Sequence, residues 1–220
     1  VDGAAVDLVR CVLVENRAWT TGGGLLAVGA DRVWLDGSLL HDNEAGRLGG
    51  AWYAARSALT VQGCTVESNR AEQGGEGVAF GDQPVVIDHV VASNNRGLLG
   101  WNDVRSTLLT DHASRLENTC TLRWQPGDEV WGGYLADQLA APDLGNLDAN
   151  PHFCRDEGGW AAYFGLAANS PALAGACGRR GAYDQACGAV DVPETPALVD
   201  RLLPAYPNPF NPSTTIAFDL

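Results

Sequence analysis

The chain contains no methionine, and none of its apolar runs approaches the roughly 18 residues that a membrane-spanning helix requires. Its beginning lacks the basic segment followed by an apolar one that marks a signal peptide. Basic residues are scarce, since 14 Lys and Arg face 27 Asp and Glu, for a formal net charge of -13. This balance disfavours a nucleic-acid partner, which needs a basic surface that displaces counterions. It equally disfavours attachment to an anionic membrane.

Glycine, proline and tryptophan are plentiful, with 27, 11 and 7 residues respectively, which favours β structure with tight turns. A length of 220 residues allows one sizeable core and a small second module. A repeat pattern is already under way at Val1, and the chain stops at Leu220 inside an expected strand. We therefore expect a fragment of a longer protein.

The first hundred residues contain a tandem repeat of about 26 residues. Four segments align without gaps and each ends in asparagine: residues 8–16, 35–43, 61–69 and 87–95. Apolar residues two apart mark strands with one face turned inward, and the step of three from Leu8 to Cys11 requires a bend. Short strands joined by bends at a fixed period predict a solenoid, whose coils bury their faces by stacking.

The stacking also predicts a role for the asparagines at the segment ends, Asn16, Asn43, Asn69 and Asn95. Equivalent residues of successive coils lie about 4.8 Å apart. Side-chain amides in such a row can pass hydrogen bonds from coil to coil, as in cross-β structures. We interpret the four as an internal structural ladder; the alternative is four functional asparagines.

The repeated pattern Cys-x-Φ-x-x-Asn-x-Ala followed by Gly-Gly (Φ apolar), as in 11–18 and 64–71, resembles a known family. It is similar to the right-handed parallel β-helix repeats of pectate-lyase-like proteins and bacterial polymorphic surface proteins. The resemblance covers residues 4 to 100 and implies an all-β, right-handed parallel β-helix. It does not specify an activity, because the superfamily includes lyases, hydrolases and non-catalytic surface proteins.

Beyond Gly100 the register is lost, and residues 101–188 are expected to form irregular coils and a cap that completes the β-helix domain 1–188. The motifs Asn150-Pro-His-Phe, Ser170-Pro-Ala-Leu and Gly181-Ala resemble the closing segment of bacterial β-helix proteins. That resemblance implies three strands that complete the last coils. A solenoid needs such a cap to cover its open end.

Residues 189–203 are expected to be a linker, and residues 204–220 the start of a further module. The string Tyr206-Pro-Asn-Pro-Phe-Asn-Pro resembles the beginning of the C-terminal Ig-like module of flagellar hook-capping and type IX secretion sorting proteins. Only its first strand, 214–220, would be present. The resemblance implies recognition by secretion machinery and an extracellular or outer-surface location.

Six cysteines in an exported chain suggest disulfides. The register places Cys11 and Cys64 two coils apart, roughly 9 to 10 Å. A disulfide requires Cα atoms within about 7 Å. Both cysteines are therefore interpreted as small buried residues. The remaining four are expected to pair, with 120–154 and 177–187 favoured among three connectivities: Cys120, Cys154, Cys177 and Cys187. Zinc-type Cys-x-x-Cys spacing is missing, so no metal site is predicted.

The stacking register also nominates candidates for catalysis. Glu15 and Asp42 share an outward column in adjacent coils, and His41 and Glu67 are stacked neighbours in another. A glycosidase needs two carboxylates about 5 Å or about 6.5 to 9.5 Å apart, and a lyase of this superfamily needs calcium carboxylates. No outward column collects the three carboxylates that calcium prefers.

Other outward columns have simpler explanations. The column that follows the asparagines places Glu44 between two arginines and is interpreted as a surface charge ladder: Arg17, Glu44, Arg70 and Arg96. Four tryptophans could stack on sugar rings or cover the edges of coils: Trp19, Trp34, Trp52 and Trp101.

Two functions therefore remain open. The first is an exported, non-catalytic β-helix that serves as a scaffold or as a binding or adhesion module, with a polysaccharide or cell-surface glycan as its partner. The alternative is a carbohydrate-active enzyme, either a polysaccharide lyase or a glycoside hydrolase. No cofactor is predicted, apart from Ca2+ in the case of a lyase.

Overall fold

The computed structural model describes residues 4–73, 75–81, 83–97, 108–110, 116–124, 142–173, 175–183, 187, 201–202 and 218–219. The chain divides into two units, residues 1–187 and residues 188–220.

The first unit is a parallel β-solenoid of about four turns, as the repeat predicts. Each turn contributes one strand to each of four sheets, and all strand pairings within them are parallel. Sheet 1 consists of β1 (Ala5–Val9), β5 (Arg32–Asp36), β9 (Leu59–Gln62), β13 (Val85–Asp88) and β17 (Leu116–Thr119). Sheet 2 consists of β2 (Val12–Val14), β6 (Leu39–His41), β10 (Thr65–Glu67), β14 (Val91–Ser93), β18 (Leu122–Trp124) and β19 (Leu147–Asp148).

The other two sheets contain four strands each. Sheet 3 consists of β3 (Arg17–Ala18), β7 (Glu44–Ala45), β11 (Arg70–Ala71) and β15 (Arg96–Gly97). Sheet 4 consists of β4 (Leu25–Val28), β8 (Trp52–Ala55), β12 (Gly77–Phe80) and β16 (Leu108–Thr110).

Corners in the left-handed backbone region end the strands. One row of corners joins sheets 1 and 2 and has φ of 52° to 57°: Arg10, Gly37, Gly63, His89 and Cys120. This is the bend that the three-residue step predicts. A second row stands directly before the asparagines, with φ of 49° to 58°: Glu15, Asp42, Ser68 and Asn94. Most L-residues adopt such a φ only at a cost, so the corners are fixed by the coils around them.

The interior is filled by stacked apolar rows. Val33 pairs with Val6 and Leu59 in sheet 1, and Leu40 pairs with Leu13 and Val66 in sheet 2. Trp52 is also part of this core, with 1% of its surface exposed, so its assignment to the surface aromatics was wrong. Its ring occupies the space beside Gly77, where a Cβ atom would lie 2.0 Å from the indole. The tryptophan is therefore accommodated because its neighbour has no side chain.

The four asparagines form a continuous ladder of hydrogen bonds. Asn16 Nδ2 donates to Asn43 Oδ1 (2.8 Å), Asn43 Nδ2 to Asn69 Oδ1 (2.9 Å), and Asn69 Nδ2 to Asn95 Oδ1 (2.9 Å). The backbone N–H of each of the first three also donates to the next Oδ1. Buried polar groups are thereby satisfied at the same corner of every coil.

A buried ion pair lies in the interior beyond the apolar rows. Arg123 follows Ala92 in the inward row of sheet 2 and is 1% exposed. Its Nη2 and Nε lie 2.9 and 3.1 Å from the carboxylate oxygens of Glu76, also 1% exposed, and its Nη1 donates to Asn118 Oδ1. Bidentate contact and the additional hydrogen bond offset part of the cost of removing both charges from water.

After β19 the chain returns along the outer face of sheet 2, and we call residues 151–183 the arm. Phe153 and Leu166 form an antiparallel bridge in it, and α1 (Trp160–Tyr163) and a 3-10 turn at Pro171–Leu173 follow the same segment. A second apolar cluster joins Val91 and Leu122 of the sheet to the arm. As a result β10 and β14 are buried at every position, on both faces.

The sequence predicts that the closing motifs add strands to the last coils. The structure shows that they do not. Ser170-Pro-Ala-Leu forms the 3-10 turn, and the segment around Pro151 crosses the sheet from outside. Proline lacks the N–H that a ladder needs, whereas the apolar outer face of sheet 2 offers the arm a surface to bury.

The disulfides differ from the favoured pairing. Cys120 is bonded to Cys177 and Cys154 to Cys187, so the 120–154 and 177–187 connectivity was wrong. The reason is the return of the arm, which brings Cys177 to the corner residue Cys120. Cys11 and Cys64 are free thiols, and burial raises the pKa of Cys64 to about 12.

In the second unit β20 (Arg201–Leu202) pairs antiparallel with β21 (Phe218–Asp219). The remainder of the expected linker and sorting module lies outside the described residues. In the described part of the chain no helix has the length and apolarity needed to cross a membrane.

Candidate functional site

The outer face of sheet 2 carries a cluster of ionisable side chains. His41 on β6 and Glu67 on β10 are partners in the strand register, as the stacked columns predict. His41 Nδ1 lies 2.9 Å from Glu67 Oε2, and His41 Nε2 lies 3.3 Å from Asp42 Oδ2. Both ring nitrogens thus face a carboxylate.

The arm supplies the fourth member. Arg155 Nη2 lies 2.8 Å from Glu67 Oε1, which also accepts a hydrogen bond from Asn94 Nδ2 (3.3 Å). The guanidinium carbon of Arg155 stands 4.7 to 5.2 Å from the ring centroids of three aromatic residues: Phe153, Tyr163 and Phe164. Arg155 therefore ties the arm to the solenoid through its ion pair with Glu67, while its cation–π contacts hold the guanidinium against rings of the arm itself.

These contacts shift two pKa values. Burial by itself would lower the pKa of His41, but hydrogen bonding and charge from Glu67, with a further contribution from Asp42, raise it above 6.5. Burial would raise the pKa of Glu67, but its hydrogen bond with His41, the charge of Arg155 and a hydrogen bond from Ser68 lower it to about 2. The cluster is thus an ion-paired network at any pH between the lowered pKa of Glu67 and the raised pKa of His41.

The cluster is largely covered. The side chain of Glu67 is 3% exposed and that of His41 is 12% exposed. The ring of the fully buried Phe164 packs edge-on against His41 at 5.0 Å between centroids, and Trp160 does so at 5.6 Å. A polymeric substrate would have to displace the arm to reach these groups.

Of the four catalytic candidates, His41, Asp42 and Glu67 share one network of ionic contacts, and Glu15 stacks beside them in the adjacent coil, where its backbone N–H donates to the carbonyl of His41 (3.1 Å). Glu15 is an exposed corner residue of the first coil, and within the described residues it forms no ion pair. Arg155 was not anticipated from the sequence, because it stands 88 residues from Glu67 and outside the repeat. The columns of stacked residues predict contacts only between residues that belong to the coils.

Two groups of ligand-type atoms lie close enough together for a metal ion. They are Asp88 with His89 and Cys120, and Asp156 with Cys154 and Cys187. Each group includes cysteines that are bonded in disulfides, so their sulfur atoms are not thiolate ligands. In the first group His89 Nδ1 is already 2.8 Å from Asp88 Oδ1.

A second surface of interest lies on sheet 3, where an arginine row crosses the coils: Arg17, Arg70 and Arg96, with Arg47 beside them. All four are exposed. Glu44 is shared between two of them, with Oε2 3.6 Å from Arg17 Nε and 3.8 Å from Arg70 Nη2. In the described part of the chain Arg47 and Arg96 form no ion pair, so the row carries excess positive charge in an acidic protein.

The arginine row ends at the most exposed aromatic residue of the described chain. Trp19 is 97% exposed and borders a cleft of about 500 Å3, whose walls also include Arg17, Glu44 and Gly46. Trp34 is half-buried, and Trp101 lies outside the described residues. Among the four tryptophans considered for sugar stacking, Trp19 is the one that this geometry favours.

Comparison of the chain with protein-family models, curated proteins and solved structures found no match in any of the three.

Proposed function

We propose that this protein is an exported, non-catalytic parallel β-solenoid that is secreted or displayed on the outer cell surface and binds an acidic glycan. The observation that carries the binding role is the exposed arginine row of sheet 3 with Trp19 at its end. Guanidinium groups form paired hydrogen bonds with carboxylates and sulfates. The exposed indole offers a flat apolar face for a sugar ring.

The spacing of the row supports a linear ligand. Arg70 and Arg96 lie on adjacent coils at the strand spacing, about 4.8 Å, and Arg17 lies two coils before Arg70 along the axis of the solenoid, with Glu44 between them. A polymer with repeated negative charges can therefore contact several coils at once, and its affinity accumulates from weak, exposed contacts.

The His41 cluster argues against catalysis at the candidate residues. Both nitrogens of His41 face carboxylates, and Glu67 is paired with Arg155 and covered by the arm. A general acid or base must reach the proton that it transfers. In this arrangement the carboxylates hold the arm in place, which is a structural role.

Export is proposed from the sequence and from chemistry. The 206–212 string resembles the start of sorting modules, and the right-handed β-helix family suggested by the repeats includes surface proteins. The two disulfides fit an oxidising compartment.

The test is a glycan array with neutral, uronic-acid and sulfated glycans, probed with the full chain and with three variants. We expect binding to acidic glycans that weakens with added salt. Trp19→Ala and the double variant Arg17→Ala with Arg70→Ala should each weaken it at least fivefold. Arg56→Ala, an exposed arginine that the row does not include, is the matched control and should bind normally.

Incubation with polyuronates and calcium, followed by the absorbance of unsaturated product, tests the enzymatic alternative. Product formation that is abolished by His41→Ala would show that the protein is a lyase. Absence of acidic-glycan binding, or binding that Trp19→Ala leaves intact, would refute the proposed site.

A further inference from the structure

A small cleft on the arm has a chemistry that neither the His41 cluster nor the arginine row shares. It measures about 170 Å3 and is lined by Asp156, Glu157, Gly159, Trp160 and Tyr163. Two aromatic rings and two carboxylates thus border one opening. The lining contains no cation.

The walls are available to a ligand. Trp160 is 39% exposed although it is a large apolar residue. Asp156 and Glu157 are exposed, and neither forms an ion pair with another described residue. Gly159 adopts a φ of 97°, and a Cβ atom built there would have nothing within 4 Å. A side chain at this position would therefore extend into open space, and the positive φ disfavours one.

We propose that this cleft binds a quaternary ammonium head group. The face of an aromatic ring attracts a cation, with indole the strongest of the three ring types. Methyl groups around the nitrogen suit rings that accept no conventional hydrogen bonds. The two carboxylates add attraction at the rim, and the net charge of -13 favours the approach of cations.

Size restricts the ligand to a head group. Pockets for drug-sized molecules typically measure about 300–1,000 Å3, so a cleft of about 170 Å3 accommodates only a compact cation. Repulsion from the nearby Arg155 is limited, because its guanidinium is paired with Glu67 at 2.8 Å. Tyr163 already packs against that guanidinium at 4.7 Å, so the exposed ring of Trp160 provides the main aromatic face for the ligand.

The experiment compares choline with its neutral isostere 3,3-dimethyl-1-butanol, each titrated into the oxidised full chain and followed by calorimetry or ligand-observed NMR. We expect weak choline binding, and binding of the neutral compound at least tenfold weaker. Trp160→Leu should weaken choline binding about two- to fivefold, the contribution of one exposed cation–π contact. The double carboxamide variant Asp156→Asn with Glu157→Gln should also weaken choline binding at low salt.

Two controls separate this site from others. Glu117→Gln removes an exposed carboxylate elsewhere on the solenoid, and Trp19→Ala removes the tryptophan of the proposed glycan surface. Both should bind choline normally, so failure of the glycan proposal would not affect this result. The carboxamide variant changes no core residue and keeps the test valid if Trp160→Leu alters folding. Equal binding of the two probes, no choline binding, or full binding by the carboxamide variant would each overturn the proposal.

Discussion

At the scale of single residues, the ladder asparagines have the densest hydrogen bonding. Asn69 is fully buried, accepts from both nitrogens of Asn43, and donates to Asn95 Oδ1 and the carbonyl of Leu40. Its replacement leaves several of these buried groups without partners, and each such group costs about 1–3 kcal/mol.

We therefore expect Asn69→Ala to lower the free energy of unfolding by about 3 kcal/mol or more. Asn16→Ala, at the exposed end of the ladder, should cost about 1 kcal/mol. Urea denaturation of the oxidised protein measures both. Similar losses in the two variants would show that the ladder does not depend on its buried members.

The His41 cluster predicts a pH dependence. The pKa of His41 is raised above 6.5, so its contribution to stability is full below about pH 6.5 and is lost as the pH rises through the folded-state pKa. The pKa of Glu67 is lowered from 4.5 to about 2, so its contribution is full above about pH 4.5 and is lost as the pH falls toward 2. The cluster should stabilise the fold most between these limits.

The check is the free energy of unfolding of the unmodified chain and of His41→Gln from about pH 5 to about pH 9. The difference between the two should be largest on the acidic side and shrink as the pH rises. The exposed His152 provides the control, and His152→Gln should leave the profile unchanged. A difference that grows with pH would contradict the assigned ion pairs.

At the scale of the elements, strands β8 and β12 pair a large side chain with a residue that has none. Trp52 is paired in register with Gly77, and a Cβ atom at position 77 would lie 2.0 Å from the ring. The ring is buried, with 1% of the residue exposed. The strand pair therefore tolerates a large residue only opposite glycine.

Gly77→Ala should lower the free energy of unfolding by about 3 kcal/mol, at the upper end of overpacking effects. Adding Trp52→Leu should recover a large part of that loss, although Trp52→Leu by itself leaves a cavity. The double-mutant cycle measures this coupling. Additive effects of the two changes would mean that the two residues do not constrain each other.

The elements also show what the sequence could predict. The coils were accessible because stacking makes equivalent residues recur, so Leu8, Leu35, Val61 and Ile87 identify one inward row. Arg123 was missed because the register was lost after residue 100, where the inward row of sheet 2 changes from apolar to charged, and Glu76 was missed because its partner Arg123 could not be placed. The arm was misinterpreted because its residues follow the shape of an outer sheet face, and such packing has no period.

At the scale of the whole molecule, the first unit has two layers, a solenoid and an arm. The Cys120–Cys177 bond joins them across 57 residues. A loop of that size corresponds to about 4 kcal/mol of chain entropy in the unfolded state. The solenoid has its own core, whereas the arm depends on the outer face of sheet 2.

We expect a dithiol reductant to loosen the arm before the coils. In hydrogen exchange, amides of the arm such as those of Gly181 and Arg155 should lose protection first, while those of the asparagine ladder remain protected. The double variant Cys120→Ser with Cys177→Ser should reproduce the effect without reductant. Simultaneous loss of protection in both layers would show that they unfold as one cooperative unit.

The orientation of the strand pairing has a mechanical consequence. The hydrogen bonds between coils point along the solenoid axis, so tension applied along that axis would break them a coil at a time, as in unzipping. While the Cys120–Cys177 bond is intact, tension passes through the disulfide and not through the 57 residues that it spans. At about 3.3 Å per residue, its reduction would release about 190 Å of hidden length. The redox state would thus determine how far the chain extends under tension.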